Sequence, residues 1–398
     1  MPGQPRLHGR QIVCVGFADW QTELWTNQHH LMSRLAQDND VLFVESLGLR
    51  QPQLAGRDLA RMSRRLRRGL APPRATDGLH VLSPLVVPAH RYAAVRRLNA
   101  RLLPLLVGRA ARRLGMSRPI LWGYAPQAEV LVETLAPSLI VYHCVDDIAA
   151  QRGVDAASFR AAEQRFASSA DLVLASSPPL AARLRELSGN VLYAPNVADV
   201  ELFCTALDAG PGDEAMQALP HPRIVFTGAI VQTKLDFDLI RDLARMRRDW
   251  SIALVGPIGP GDPSTDVSGL RAEPNVHLLG HRPHAQLPAV LREADVAFIP
   301  YAINPLTESV FPMKVYEYLA AGLAVVSTPL PSLSEVSEVH LGASANEVAD
   351  LLERALADNG QEARAARSQA SMKHSWSCRL QEIAVAVQAL RPRAPSRR

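Results

Sequence analysis

The run from Asn304 to Leu330, NPLTESVFPMKVYEYLAAGLAVVSTPL, constrains the fold of this chain more than any other stretch. Pro312 suits the first position of a helix, where its missing N–H costs nothing, and Gly322 suits a left-handed cap just past Ala321. Together they bound a short helix. On either side lie the apolar, β-branched runs ADVAFIP (294–300) and LAVVST (323–328), too short for amphipathic helices. The order strand, loop, helix, strand is that of a βαβ unit, which puts the loop and the helix start at the carboxyl edge of a parallel sheet. There unpaired amides and the helix dipole attract an anion, commonly a phosphate. Lys314 adds a full positive charge, and Glu317, three residues on, shares its face. The pair offers a cation to phosphate and a carboxylate to hydroxyls; an ordinary ion pair on the surface of a capped helix is the plain alternative.

The FPMKVYEYLAAGLAVVST run resembles the donor-site helix of GT-B glycosyltransferases, especially the family 4-like (glycosyltransferase group 1) retaining group of bacterial surface-polysaccharide biosynthesis. The resemblance implies that Glu317 binds the ribose of a nucleotide sugar and that the loop of Val310, Phe311, Pro312 and Met313 holds its diphosphate. Many members carry two glutamates separated by seven residues, whereas Glu308 and Glu317 are separated by eight. The match therefore fixes Glu317 and leaves Glu308 open.

Further along the same resemblance, FTGAIVQTKLDFDLI places Gly228 six residues before Lys234, like the family's Gly-Arg-Leu-x-x-x-Lys signature. Glycine lets backbone approach a diphosphate and lysine neutralises it. Ala229 stands where the family usually has arginine, so Lys234 and Lys314 carry the positive charge. NVHLLGHRPHAQLPAVLREADVAFIPY resembles the stretch that meets the nucleotide base, with His281 and Arg282 lining that pocket. His277, His281 and His284 lack an acidic or cysteine partner at ligand spacing, so no metal is expected. No cofactor is expected either, the nucleotide sugar being a substrate.

Earlier in the chain, YHCVDD (142–147) sets Asp146 and Asp147 at the carboxyl end of a strand, where adjacent carboxylates can serve as base or orient an acceptor hydroxyl. Aspartate as a helix cap is the plain alternative. The family often has His-Asp here, and Val145 occupies the histidine position. Gly16 closes the first strand, and Trp20 and Trp25 flank the loop and helix after it; core packing or stacking on an acceptor sugar would account for them.

The chain as a whole fits an α/β GT-B architecture, two Rossmann-like domains facing each other across a cleft. QIVCVGF (11–17) opens a series of strands at 41–46, 79–84, 119–123, 139–145, 171–176 and 190–196, mostly separated by helical patterns such as 22–36. Residues 1–198 form the expected acceptor domain, and 199–222, with two glycines and three prolines after weak periodicity, the linker. Residues 223–374 repeat the alternation as the donor domain, with strands at RIVFTG, SIALVGP, NVHLLG, DVAFIP and LAVVST. By resemblance, a helix at 375–390 crosses back to the first domain, and the basic tail 391–398 is expected to be disordered.

Composition narrows the partners. The four cysteines, Cys14, Cys144, Cys204 and Cys378, are widely spaced and read as buried thiols in a reducing, cytoplasmic setting. No apolar run approaches the roughly 18 residues of a membrane span. Net charge is +4, but 57–113 holds 14 arginines against Asp58 and Asp77. Lacking interleaved aromatics or a DNA-reading motif, that stretch fits an anionic membrane surface better than nucleic acid. The absence of GxGxxG, Walker and GxSxG motifs argues against dehydrogenase, ATPase and serine hydrolase. The expected activity is transfer from a nucleotide-sugar donor to a glycan or lipid-linked acceptor, with a GT-B-fold epimerase or a catalytically silent scaffold as alternatives.

Overall fold

The structure, a computed structural model, describes residues 5–22, 24–45, 72–84, 93–151, 153–260 and 262–394. The chain forms two compact units: Met1–Pro195 with Leu380–Arg398, and Asn196–Arg379.

The first unit is built on an eight-stranded sheet in the order β3-β4-β2-β1-β5-β6-β7-β8. Its strands are β1 (Gln11–Val15), β2 (Asp40–Val44), β3 (Arg74–Thr76), β4 (Leu79–Leu82), β5 (Ile120–Gly123), β6 (Leu139–Cys144), β7 (Leu172–Ala175) and β8 (Val191–Tyr193). All neighbours pair in parallel except β3 with β4. Crossover helices such as Ala93–Arg113, Ala156–Ser169 and Pro178–Arg185 cover the sheet, which is why β1, β2, β6 and β7 read as continuous apolar runs. The helix expected over 22–36 forms only from Asn27 to Leu35. Its start is set by the capping box of Thr26 and His29, in which His29 Nδ1 accepts from Thr26 N at 3.1 Å.

The second unit has a fully parallel six-stranded sheet, order β11-β10-β9-β12-β13-β14. Its strands are β9 (Arg223–Thr227), β10 (Ser251–Val255), β11 (Val276–Gly280), β12 (Val296–Ile299), β13 (Val325–Ser327) and β14 (Val339–Leu341). The strand order reverses between β9 and β12, the position where open α/β sheets bind ligands beyond their carboxyl ends.

Three boundaries differ from expectation. Residues 199–222 are part of the second unit rather than a linker, because Val200, Phe203 and Met216 are buried in its core. The helix Trp376–Gln388 is divided, its residues through Arg379 belonging to the second unit and the rest to the first. The tail is tied down as far as Arg393, whose N–H donates to Ser138 O at 2.9 Å and whose Nε meets Asp171 Oδ2 at 2.8 Å; residues 395–398 lie outside the described residues. All four cysteines are free, but only Cys14 and Cys144 are buried; Cys204 and Cys378 are half-buried. Among the described residues no helix is long and apolar enough to cross a membrane.

Candidate active site

The second unit's site is assembled from the loops that follow β9, β10 and β12. The loop after β9 approaches that after β10 so closely that a side chain at Gly256 would collide with the Gly228 carbonyl oxygen. Only glycine fits there, and no motif in the sequence marked it. The β9 loop is stitched to the β12 loop as well: Ala302 N donates to Lys234 O at 2.9 Å and Asn304 Nδ2 to Thr233 O at 3.2 Å.

The helix after β12 runs from Lys314 to Ala320, two residues later than Pro312 suggested. Pro312 instead opens a tighter turn, its carbonyl accepting from Val315 N at 3.2 Å. The far end closes as the sequence indicates. Gly322 adopts φ +79, Gly322 N–H bonds Leu319 O and Leu323 N–H bonds Tyr318 O, the two bonds of a Schellman cap. Tyr318 moors the helix to β9, its hydroxyl accepting from Thr227 N at 2.7 Å.

That mooring sets Lys314 against Gly228, where an added side chain would lie 3.1 Å from the lysine Nζ. The ammonium donates to the Tyr301 hydroxyl at 3.3 Å and sits 5.3 and 5.7 Å from the ring centres of Phe226 and Tyr301. Burial opposes its charge, but Tyr301, Tyr318 and Glu317 outweigh that and raise its pKa above the ordinary lysine value. Glu317 is only 8% exposed and its carboxylate makes no hydrogen bond or ion pair among the described residues. Burial raises its pKa, opposed by the charges of Lys314 and His284 and reinforced by Asp199. The two residues are therefore not the ordinary surface pair their spacing allowed. A cation with spare donors and a buried carboxylate with spare lone pairs lie on one helix without neutralising each other.

The loop ahead of the helix is fixed through its carbonyls. Ser332 Oγ donates to Val310 O at 2.6 Å and Asn196 Nδ2 to Phe311 O at 2.8 Å. In a trans peptide the N–H points opposite to the C=O, so the Ser332 bond turns the Phe311 N–H away from Ser332. That amide, in a residue 1% exposed, has no acceptor among the described residues. Val310 and Pro312 are buried, Met313 is half-buried and Glu308 is exposed. Lys234 is half-buried, and its ammonium has no partner among the described residues.

Arg282 departs from its expected role. Its Nε bonds Asp213 Oδ2 at 2.6 Å and its Nη1 the Leu279 carbonyl at 2.9 Å, fastening the helix Glu214–Gln217 to the turn after β11. Its guanidinium is thus engaged in structure; His281 beside it is half-buried.

In the first unit, Asp147 Oδ2 is held by Arg160, and its Oδ1 is enclosed without a hydrogen-bond partner. Arg160 also bonds Glu163 at 3.0 Å, a buried carboxylate that accepts from Tyr142 at 2.6 Å and from Arg183 as well. Neither oxygen of Asp147 is open to an acceptor, and no local pattern marked Glu163 as the hub that draws it in. Asp146 stands half-buried at the end of β6. Trp20 is core: 2% exposed, it packs edge-on against Phe43 at 4.9 Å and donates to Asp77 at 3.0 Å. Gly16 leaves room for the Phe43 ring, which an added side chain would strike. The exposed indole of the pair is Trp25, 39% exposed.

Residues 221–358 match the family described as Glycosyl transferases group 1. The chain is 28% identical over 301 residues to TuaH of Bacillus subtilis (strain 168), described as a teichuronic acid biosynthesis glycosyltransferase; the match covers 71% of this chain and 75% of that one. The sucrose-phosphate synthase of Thermosynechococcus elongatus superposes with a TM-score of 0.67 at 16% identity, over 95% of this chain and 98% of that chain. Anabaena HepE in complex with UDP and glucose gives 0.65 at 17% identity, over 96% and 100%. Two Rossmann-like units of this kind, with that family match, define an enzyme, a glycosyltransferase of the GT-B fold.

Proposed function

We propose that the chain moves a sugar from a nucleoside-diphosphate sugar to a lipid-linked or polysaccharide acceptor in the cytoplasm, with retention of configuration as the family resemblance implies. The observation that carries the donor reading is Glu317, a buried carboxylate without a hydrogen-bond donor among the described residues, one turn from Lys314. Ribose hydroxyls would supply those donors. Lys314, Lys234 and the Phe311 N–H would meet the diphosphate, and their stabilisation grows as charge develops on the leaving group. On this reading the protein's own cations balance the diphosphate and no divalent metal is required. Gly228 and Gly256 admit the phosphates at close range, His281 borders the base, and Asp146 is the acceptor-side carboxylate.

HepE, solved with UDP and with UDP-glucose, supports a uridine nucleotide as the first donor to try. TuaH's description, which names teichuronic acid biosynthesis, supports a uronic-acid-containing polysaccharide as the product.

The test is a panel of nucleotide sugars screened by thermal shift, in which a ligand at 100 times its Kd stabilises by about 2.7 kcal/mol. The best donor is then incubated without acceptor, with and without EDTA. Slow, EDTA-insensitive release of free sugar supports the transferase. A donor that is bound but never cleaved would indicate a scaffold, and an altered sugar still attached to nucleotide an epimerase.

A further inference from the structure

Helix Ala93–Arg113, 21 residues long, presents a face that the described residues of its own unit do not cover. Its inner side, Leu103, Val107, Ala110 and Ala111, is buried in the core of the first unit. The opposite side carries Leu98 and Leu105, 46% and 66% exposed. Seven residues apart, they fall on one stripe. Arg101 and Arg109 are exposed three or four residues from these leucines, so they border the same stripe, with exposed Arg112 a turn further on. The helix holds six arginines and no aspartate or glutamate. None of Arg97, Arg101, Arg109, Arg112 and Arg113 makes an ion pair among the described residues.

Leu105 is the most exposed large hydrophobic side chain among the described residues, and it stands with Leu98 on one stripe among arginines rather than singly. A nucleic-acid surface would pair its arginines with aromatic or hydrogen-bonding side chains rather than leucines. An apolar line flanked by unpaired guanidinium groups on long aliphatic stems matches the boundary between lipid headgroups and acyl chains.

We propose that this face docks on an anionic lipid bilayer, with Leu98 and Leu105 entering the headgroup layer and Arg101, Arg109 and Arg112 meeting lipid phosphates. The inference does not rest on the transferase reading, because its test measures lipid binding alone.

The experiment sediments the full chain with vesicles of phosphatidylglycerol and phosphatidylcholine, and in parallel with phosphatidylcholine alone. The chain should pellet with the mixed vesicles at low salt and be released as the Debye length shortens to about 3 Å at 1 M. Arg101→Glu with Arg109→Glu should weaken binding by at least roughly fivefold per residue. Leu98→Ser with Leu105→Ser should weaken what binding persists at higher salt. All four side chains are exposed or edge the exposed stripe, so Tm should hold in both variants. No binding at low salt, equal binding to neutral vesicles, or binding unchanged in both variants would each overturn the proposal, the last by moving the contact to another surface.

Discussion

Lys314 donates its hydrogen bond to the Tyr301 hydroxyl, 3.3 Å away, and makes no ion pair with Glu317 one turn along the same helix. The choice of partner matters because a neutral phenol leaves the ammonium its full charge, whereas a carboxylate would cancel it. Tyr301→Phe removes the hydroxyl but keeps the ring face, so the fold should survive. Without that anchor Lys314 is free to swing toward Glu317, compromising the cation and the carboxylate together. We expect kcat to fall by roughly tenfold, as for loss of a hydrogen bond to a charged group, while Tm changes little. Lys314→Met should cost more, on the order of a hundredfold in kcat. Equal kcat in wild type and Tyr301→Phe would show that Tyr301 does not position the lysine.

Glu317 carries a pH signature. Its folded-state pKa lies above the ordinary glutamate value because the carboxyl is buried. The carboxylate that would accept ribose hydroxyls is present above that raised pKa and is lost below it. Protonation there favours the folded state over the unfolded one, so lost binding on acidification is not unfolding. UDP affinity, followed by calorimetry, should fall as pH drops through a value above the usual glutamate range, with a proton released on binding. Glu317→Gln should weaken binding at neutral pH by about 1.5 to 3 kcal/mol and remove the pH step. A step that persists in Glu317→Gln would assign it to another group.

The orientation of the Phe311 amide is open to a similar test through Ser332, whose hydroxyl donates to the Val310 carbonyl. Ser332→Ala frees that peptide to rotate, and the lost bond is worth about 1 kcal/mol. If the Phe311 N–H meets the diphosphate, the variant should bind UDP roughly fivefold more weakly while its affinity for uridine is unchanged. An equal loss for both ligands would mean that Ser332 serves the fold and not the phosphate contact.

Most strands were legible in the sequence because a parallel sheet covered on both faces demands unbroken apolar runs, as in LIVYHC and SIALV. β3 and β14 escaped because RAT and VHL are three residues long and lie at sheet edges. The helix bearing Lys314 and Glu317 was legible for a local reason, since proline, lysine, glutamate and glycine all fall within eleven residues. What decides how that helix acts was not. Tyr301 and Thr227 reach it, and Ser332 the loop before it, by contacts across 13, 91 and 22 residues of sequence, which no local pattern encodes. Trp20 and Asp147 show the converse. Each has a residue type suited to binding, yet each is claimed by a distant partner, Asp77 in one case and Arg160 in the other.

Asp147 can be separated from catalysis by stability. Its carboxylate closes a chain of charges that runs through Arg160 to buried Glu163 and on to Arg183. Burial pushes the Glu163 carboxyl up, yet Arg183 and Tyr142 outweigh it and hold the group below the usual range. Replacing Asp147 with asparagine keeps the side-chain shape and removes one charge from the end of that chain, where Arg160 is partly exposed. The expected cost is about 1 kcal/mol, or about 2 to 4 °C in Tm for a unit of this size, with kcat unchanged. Glu163→Gln should cost several times more, because it removes the buried charge that Arg160 and Arg183 share and leaves the two guanidinium groups facing each other. If Asp147→Asn instead loses activity while Tm stays at the wild-type value, its carboxylate acts on substrate and the salt bridge to Arg160 is incidental.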